Sequence, residues 1–134
     1  MALASRTLGQ WAEQQASHFL QQQGYQLLRQ NYHSRYGEID LIMLQAQQLV
    51  FVEVKARQRG GLLRAEESIS SSKQRKIIQT AQHFLAHAIE YQDFYCRFDV
   101  ICLEISSTIA KTVQQDFPHL IYDLQWIENA FTLD

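Results

Sequence analysis

The stretch GEIDLIMLQAQQLVFVEVKAR, residues 37–57, limits this chain more tightly than any other part of it. It reads as two apolar strands joined by a polar loop at Gln45–Gln48, yet Glu38, Asp40, Glu53 and Lys55 lie inside it. Burying an unpaired charge is costly. Strand side chains alternate between faces, so Glu38 shares a face with Asp40, and Glu53 with Lys55. Pairing Leu44 with Leu49 sets Asp40 opposite Glu53 and Glu38 opposite Lys55. A slip of one residue would move the two carboxylates to opposite faces. The remaining face, Ile39, Leu41, Met43, Val50, Val52 and Val54, is apolar throughout and is expected to be buried.

Two carboxylates directly opposite each other destabilise a sheet unless something positive lies between them. Their oxygens are the ligands Mg²⁺ prefers. Asp40 and Glu53 are therefore candidate metal ligands, with the backbone carbonyl of Val54 as a further one. Lys55 is spaced to position or deprotonate an attacking water, or to stabilise charge developing on a phosphate. A purely structural arrangement competes with this, in which Glu38 and Lys55 form a cross-strand salt bridge. It accounts for those two residues and leaves Asp40 opposite Glu53 unexplained.

The rest of the chain supplies the frame. Leu8–Gln23 has helical periodicity and ends at Gly24. Ala12, Ala16, Phe19 and Leu20 fall within an arc of about 100° that borders Glu13, so Glu13 lies at the edge of the apolar face. Tyr25–Asn31 reads as a strand with a turn near His33–Gly37. Gln58–Ser72 is a long polar connection containing Gly60-Gly61. Ser70–Ser72 can cap a helix over Lys73–Ile89, with Ile77, Ile78, Ala81, Phe84, Leu85, Ala88 and Ile89 on its core side. Tyr95–Ile105 and His119–Ile127 read as strands, with Pro118 at the start of the second. Glu128–Phe131 is expected to add a helical turn. There is no internal repeat and no linker.

At 134 residues the chain suits a single α/β domain spanning 1–134, able to bury roughly 65–70% of its unfolded surface. The apolar runs Leu41–Leu44 and Leu49–Val52 are too short to span a bilayer. Residues 1–7 contain no apolar segment of secretory length. Cys96 and Cys102 are too few for a disulfide framework and lack metal-site spacing. A cytoplasmic protein with no membrane partner is expected.

The net charge is −2, but the charges are unevenly spread. Residues 55–76 carry Lys55, Arg57, Arg59, Arg64, Lys73, Arg75 and Lys76 against only Glu66 and Glu67. Such asymmetry can make a positive face on an acidic protein. It is equally compatible with a solvated loop and helix end. His83 and His87 have zinc-binding spacing but no evident third ligand, so ordinary surface or core histidines are the better reading. Asp99 reads as a partner for Arg97 or a support for the carboxylate cluster. Tyr32, Tyr36 and Tyr91 read as packing residues before stacking ones.

Asp40, a gap of 12 residues and Glu53-Val54-Lys55 resemble the PD-(D/E)XK nuclease signature. GEIDLIM with LVFVEVKAR, RFDVI (97–101) and IENAF (127–131) is similar to the YraN-like family of predicted endonucleases, from about Leu8 to Phe131. The resemblance implies a restriction-endonuclease-like fold shared with Holliday-junction resolvases: a central mixed β-sheet flanked by helices, in the order αβββαβ plus a terminal strand. It implies Mg²⁺- or Mn²⁺-dependent hydrolysis of DNA, branched or otherwise structured. GQWAEQQA (9–16) resembles the block that supplies a glutamate to the metal site, which adds Glu13 to Asp40, Glu53 and Val54. Glu38 becomes an outer ligand or the partner of Lys55. SKQRK (72–76) also matches, at a helix N-terminus suited to phosphate. Arg57, Arg59, Arg64, Lys73, Arg75 and Lys76 are the implied DNA contacts. Many family members carry an aromatic–glycine pair where this chain has Leu62-Leu63. The resolvase relatives act as dimers, which implies a homodimer. Two other readings keep the fold without turnover: a nucleic-acid-binding module, and a protein–protein adaptor. The adaptor gives no reason for like charges to face each other in a sheet.

Overall fold

The computed structural model describes residues 6–58, 69–105, 112–113 and 122–132. Its first helix begins at a capping box. Thr7 Oγ1 accepts from the Gln10 N–H at 3.0 Å, while Gln10 Oε1 accepts from the Thr7 N–H at 3.1 Å. The pair satisfies two donors that a helix N-terminus otherwise leaves open. Helix α1 (Leu8–Gln22) follows strand β1 (Arg6–Thr7). It stops where predicted, at Gly24, whose φ of 96° is left-handed.

Strands β2 (Gln26–Ser34), β3 (Gly37–Gln45) and β4 (Gln48–Gln58) come next, then helix α2 (Ser71–His87) and a 3₁₀ turn at Ile89–Tyr91. Strands β5 (Tyr95–Ile105), β6 (Thr112–Val113) and β7 (Tyr122–Phe131) complete the order. Five strands form one sheet in the order β2-β3-β4-β5-β7, and β1 pairs separately with β6. Only β4 and β5 run parallel within the large sheet. A parallel pair needs a long crossover, and α2 lies in it. The short β1–β6 pair carries no sequence signal that would have announced it.

The β3–β4 turn is tighter than the predicted loop. Gln45 pairs with Gln48, and Ala46 turns the chain at a φ of 53°. Alternation then sends side chains to two cores. Leu41, Met43, Val50 and Val52 pack with Trp11, Ala12, Ala16 and Leu20 of α1. Ile42, Leu49 and Phe51 pack with Ile77, Ala81 and Phe84 of α2. Each fully buried Val, Leu, Ile, Phe or Met among them contributes about 1.5–3 kcal/mol. The result is an α/β architecture with a mixed five-stranded sheet flanked by helices, consistent with a restriction-endonuclease-like fold.

Four expectations need correction. Val54 is half-buried, and Ile39 joins the α2-side core. Ile89 is 75% exposed, because α2 ends at His87 and the chain turns away before reaching it. Glu128–Phe131 is strand, not helix: β7 pairs with β5 as far as Phe98 opposite Phe131. Gly60–Leu63 and Pro118 lie outside the described residues, as does the beginning of the predicted His119–Ile127 strand. No helix among the described residues is long and apolar enough to cross a membrane.

Candidate active site

The β3–β4 ladder has the predicted register from Gln45–Gln48 to Leu41–Val52 and stops there. Beyond it, β3 stays paired with β2 as far as Gly37, and β4 stays paired with β5 as far as Gln58. At the opened end the Val54 N–H donates to Asp40 Oδ2 at 2.8 Å. A side-chain carboxylate thus takes over from the backbone where the strands part. Asp40 and Glu53 come next in the register, and their carboxyl groups hydrogen-bond to each other.

Both are nearly enclosed: Asp40 is 8% exposed and Glu53 5%. Burial, followed by the charge of Glu53 and its hydrogen bond, pushes the Asp40 carboxyl up to about 9, against the opposing pull of the Val54 N–H. Asp40 therefore holds a proton at neutral pH when no cation is present. Glu13 reaches the same place from α1. Burial raises its pKa most and the charge of Glu38 adds to this, while Asn31, Asp40 and Gln30 pull it back. Glu13 Oε1 is buried with no hydrogen-bond partner among the described residues.

Two lysines address one oxygen. Lys55 Nζ lies 3.7 Å from Glu53 Oε2, and Lys73 Nζ lies 2.6 Å from it. Burial lowers the Lys55 pKa and the neighbouring Lys73 lowers it further, although Glu53 and Asp40 pull it upward. For Lys73 burial also opposes the charge, but hydrogen bonds with Glu53 and Lys55, and the charges of Glu53 and Asp40, hold its pKa above the ordinary lysine value. The resemblance of SKQRK, at a helix N-terminus, implies a DNA contact for Lys73, which nothing in the structure tests. In the structure its side chain reaches into the acidic cluster.

These groups line a cleft of ≈ 470 Å³ with Glu38, Lys76 and Gly37. Ser70 caps α2 at this wall by accepting from the Lys73 N–H at 3.1 Å. Ser34 Oγ at the end of β2 lies 2.9 Å from Thr80 Oγ1 on α2, which donates to the Lys76 carbonyl at 2.9 Å. This clamp seats the β2–β3 turn against α2. Sequence reading missed Ser34 and Thr80, since a buried hydroxyl satisfied across elements leaves no local pattern. The turn expected near His33–Gly37 ends at Gly37, whose φ of 152° is open to few other residues.

Glu38 does not face Lys55. Its strand has left β4 by then and pairs with β2, which puts Glu38 beside His33 at 3.3 Å, exposed. Val54 lines the cleft. Arg57 on β4 and Arg75 on α2 are not among the cleft-lining residues, and Arg59 and Arg64 lie outside the described residues. His83 Nδ1 is 2.7 Å from Tyr32 Oη, and His87 Nδ1 is 2.8 Å from the His83 carbonyl. Tyr91 packs with Phe84 and Phe94, and Tyr36 lies under Arg35. Asp99 is the partner of Arg97, not a part of the cluster.

As they stand, no three His, Cys, Asp or Glu side chains among the described residues form a metal cage. The donor chemistry nevertheless fits a hard cation. Asp40, Glu53 and Glu13 offer carboxylate oxygens, one of them buried without a partner, and such oxygens suit Mg²⁺ or Mn²⁺.

The family model described as "Uncharacterised protein family UPF0102" matches residues 12–103, a span that contains Glu13, Asp40, Glu53, Lys55 and Lys73. A UPF0102 protein of Acinetobacter baumannii (strain AYE) is 58% identical over 132 residues, covering 98% of this chain and 99% of the relative. One from Acinetobacter baylyi is 60% identical over 126 residues, 94% of this chain and 90% of the relative. A third, from Pseudomonas putida, is 42% identical over 132 residues and covers 98% of both chains. The chain belongs to the UPF0102 family, the YraN-like family of predicted endonucleases that its motifs resemble.

Proposed function

We propose that this chain is a Mg²⁺- or Mn²⁺-dependent endonuclease that hydrolyses phosphodiester bonds in branched or otherwise structured DNA. One observation carries the reading. Asp40 and Glu53 meet at the splayed end of the β3–β4 hairpin, with Glu13 and Lys55 beside them in one cleft. A chain with only packing to maintain has no need of two buried carboxyl groups whose pairing raises the pKa of one of them.

Asp40, Glu53 and Glu13 hold the metal in this account, with the Val54 carbonyl as a further ligand. When bound, the ion supplies positive charge that polarises the phosphodiester and the attacking water. Lys55, its pKa lowered first by burial, orients that water and accepts its proton. Lys76 and the α2 N-terminus on the opposite wall hold the phosphate. Arg57 and Arg75 steer the DNA from outside the cleft. Glu38 tunes Glu13 through its charge. A homodimer, as in the resolvases, would present two such clefts to a branched substrate.

The test is incubation with four-way junction, flap, single-stranded and linear duplex DNA, with and without Mg²⁺ or Mn²⁺. Metal-dependent cleavage of a structured substrate ahead of linear duplex is expected. Salt-dependent DNA binding without cleavage, unaffected by Asp40→Ala, would select a non-catalytic binding module on the same fold.

A further inference from the structure

Glu53 is almost fully enclosed, so its charge requires a close partner. Lys55, two residues along the same strand, comes only to 3.7 Å. The cationic partner at hydrogen-bond distance is Lys73, on a different element, at 2.6 Å from the same oxygen. A divalent cation using that oxygen would sit about 2.0–2.1 Å from it, in the space the ammonium fills. Two positive groups do not share one carboxylate lone pair at such distances. The Lys73 backbone is fixed in the first turn of α2 by Ser70, but its side chain is 44% exposed and has four rotatable bonds. It can leave the cluster without disturbing the helix.

We propose that the Lys73 ammonium is a tethered competitor for the cation: it neutralises Glu53 in the metal-free protein and yields that oxygen when a divalent ion binds. The released ammonium then lies on the same wall as Lys76 and the α2 N-terminus, where the phosphate backbone of DNA would hold it away from Glu53. Metal and DNA thereby favour each other's binding through one side chain, a coupling that is reciprocal. The inference rests on the metal site proposed above and adds to it the device that regulates its loading.

Mn²⁺ titration by calorimetry, with no DNA present, separates the two ideas. Lys73→Met and Lys73→Gln are expected to bind Mn²⁺ about tenfold more tightly than wild type. Lys76→Met removes an equal charge from the same cleft and is expected to change affinity by no more than about twofold. Thermal unfolding supplies a second readout: Lys73→Met melts lower than wild type in EDTA and gains more on saturation with Mn²⁺. Unchanged or weaker Mn²⁺ binding by both Lys73 variants would overturn the proposal, as would equal tightening by Lys76→Met. Wild-type binding that survives Asp40→Asn and Glu53→Gln would instead overturn the metal site itself.

Discussion

Asp40 accepts the Val54 N–H at the point where β3 and β4 stop pairing with each other. That single bond has two consequences. It holds the parted strands in register without a backbone ladder, and it fixes one oxygen of Asp40 while the carboxyl group faces Glu53. Sheet order and site geometry are therefore one feature of the fold.

The pairing should destabilise the metal-free protein in a pH-dependent way. The folded state keeps the Asp40 proton up to about pH 9, whereas an unfolded Asp releases it near pH 4, at about its model-peptide value. Unfolding between those limits releases a proton, so stability falls as pH rises through this window. Asp40→Asn removes the titration while retaining an oxygen for the Val54 N–H. It is expected to be more stable than wild type by on the order of 1–3 kcal/mol at pH 8, and by less at pH 5. Urea unfolding in EDTA at the two pH values measures this. A gain that shrinks toward pH 8 would contradict it.

Asp99 has the opposite role. It is fully buried, and it accepts from Arg97 at 2.9 and 3.0 Å, from Trp126 Nε1 at 2.9 Å and from the Asn129 N–H at 2.9 Å. These bonds fasten β7 to β5. Asp99→Ala removes the acceptor shared by Arg97, Trp126 and Asn129, leaving Arg97 with Tyr25 Oη at 2.9 Å and Glu128 at 3.8 Å, and is expected to cost about 3–5 kcal/mol. The loss is read from the urea midpoint, and hydrogen exchange should quicken first along Tyr122–Phe131. A change below about 1 kcal/mol would show that the hub is dispensable.

Gly37 lies where the β2–β3 turn meets α2. An added Cβ would come 3.6 Å from Lys76 Cβ, ordinary contact, so strain at its φ of 152° decides the outcome. Gly37→Ala is expected to lower stability by about 1–3 kcal/mol. Thermal melting checks this, and an unchanged melting temperature would show that the turn relaxes freely.

What the sequence revealed depended on how local each cause was. The register of β3 and β4 was legible because two opposed carboxylates permit few alternatives, whereas Glu13 came from the resemblance of GQWAEQQA, with its place at the edge of the α1 wheel in agreement. The end of α1 followed from Gly24. Glu128–Phe131 misled because the chain there is governed by a distant residue: Asp99 draws in Asn129, whose φ of 53° interrupts strand alternation. Lys73 was recognised as basic, but the Glu53 it pairs with lies 20 positions earlier on another element. The alternative that pairs Glu38 with Lys55 needs continued strand pairing, whereas the strands part before reaching it. Tertiary pairing of charges leaves no periodicity to read.

Asp40, Glu53 and Lys55 are proposed to form a cutting site. It is tested most directly by the initial rate at which wild type, Asp40→Ala, Glu53→Ala and Lys55→Ala cleave a four-way junction in Mn²⁺. Metal-dependent cleavage by wild type is expected, with a loss of at least about 100-fold in each variant. Variants that cut as fast as wild type, or no cutting of any DNA by wild type, would contradict it.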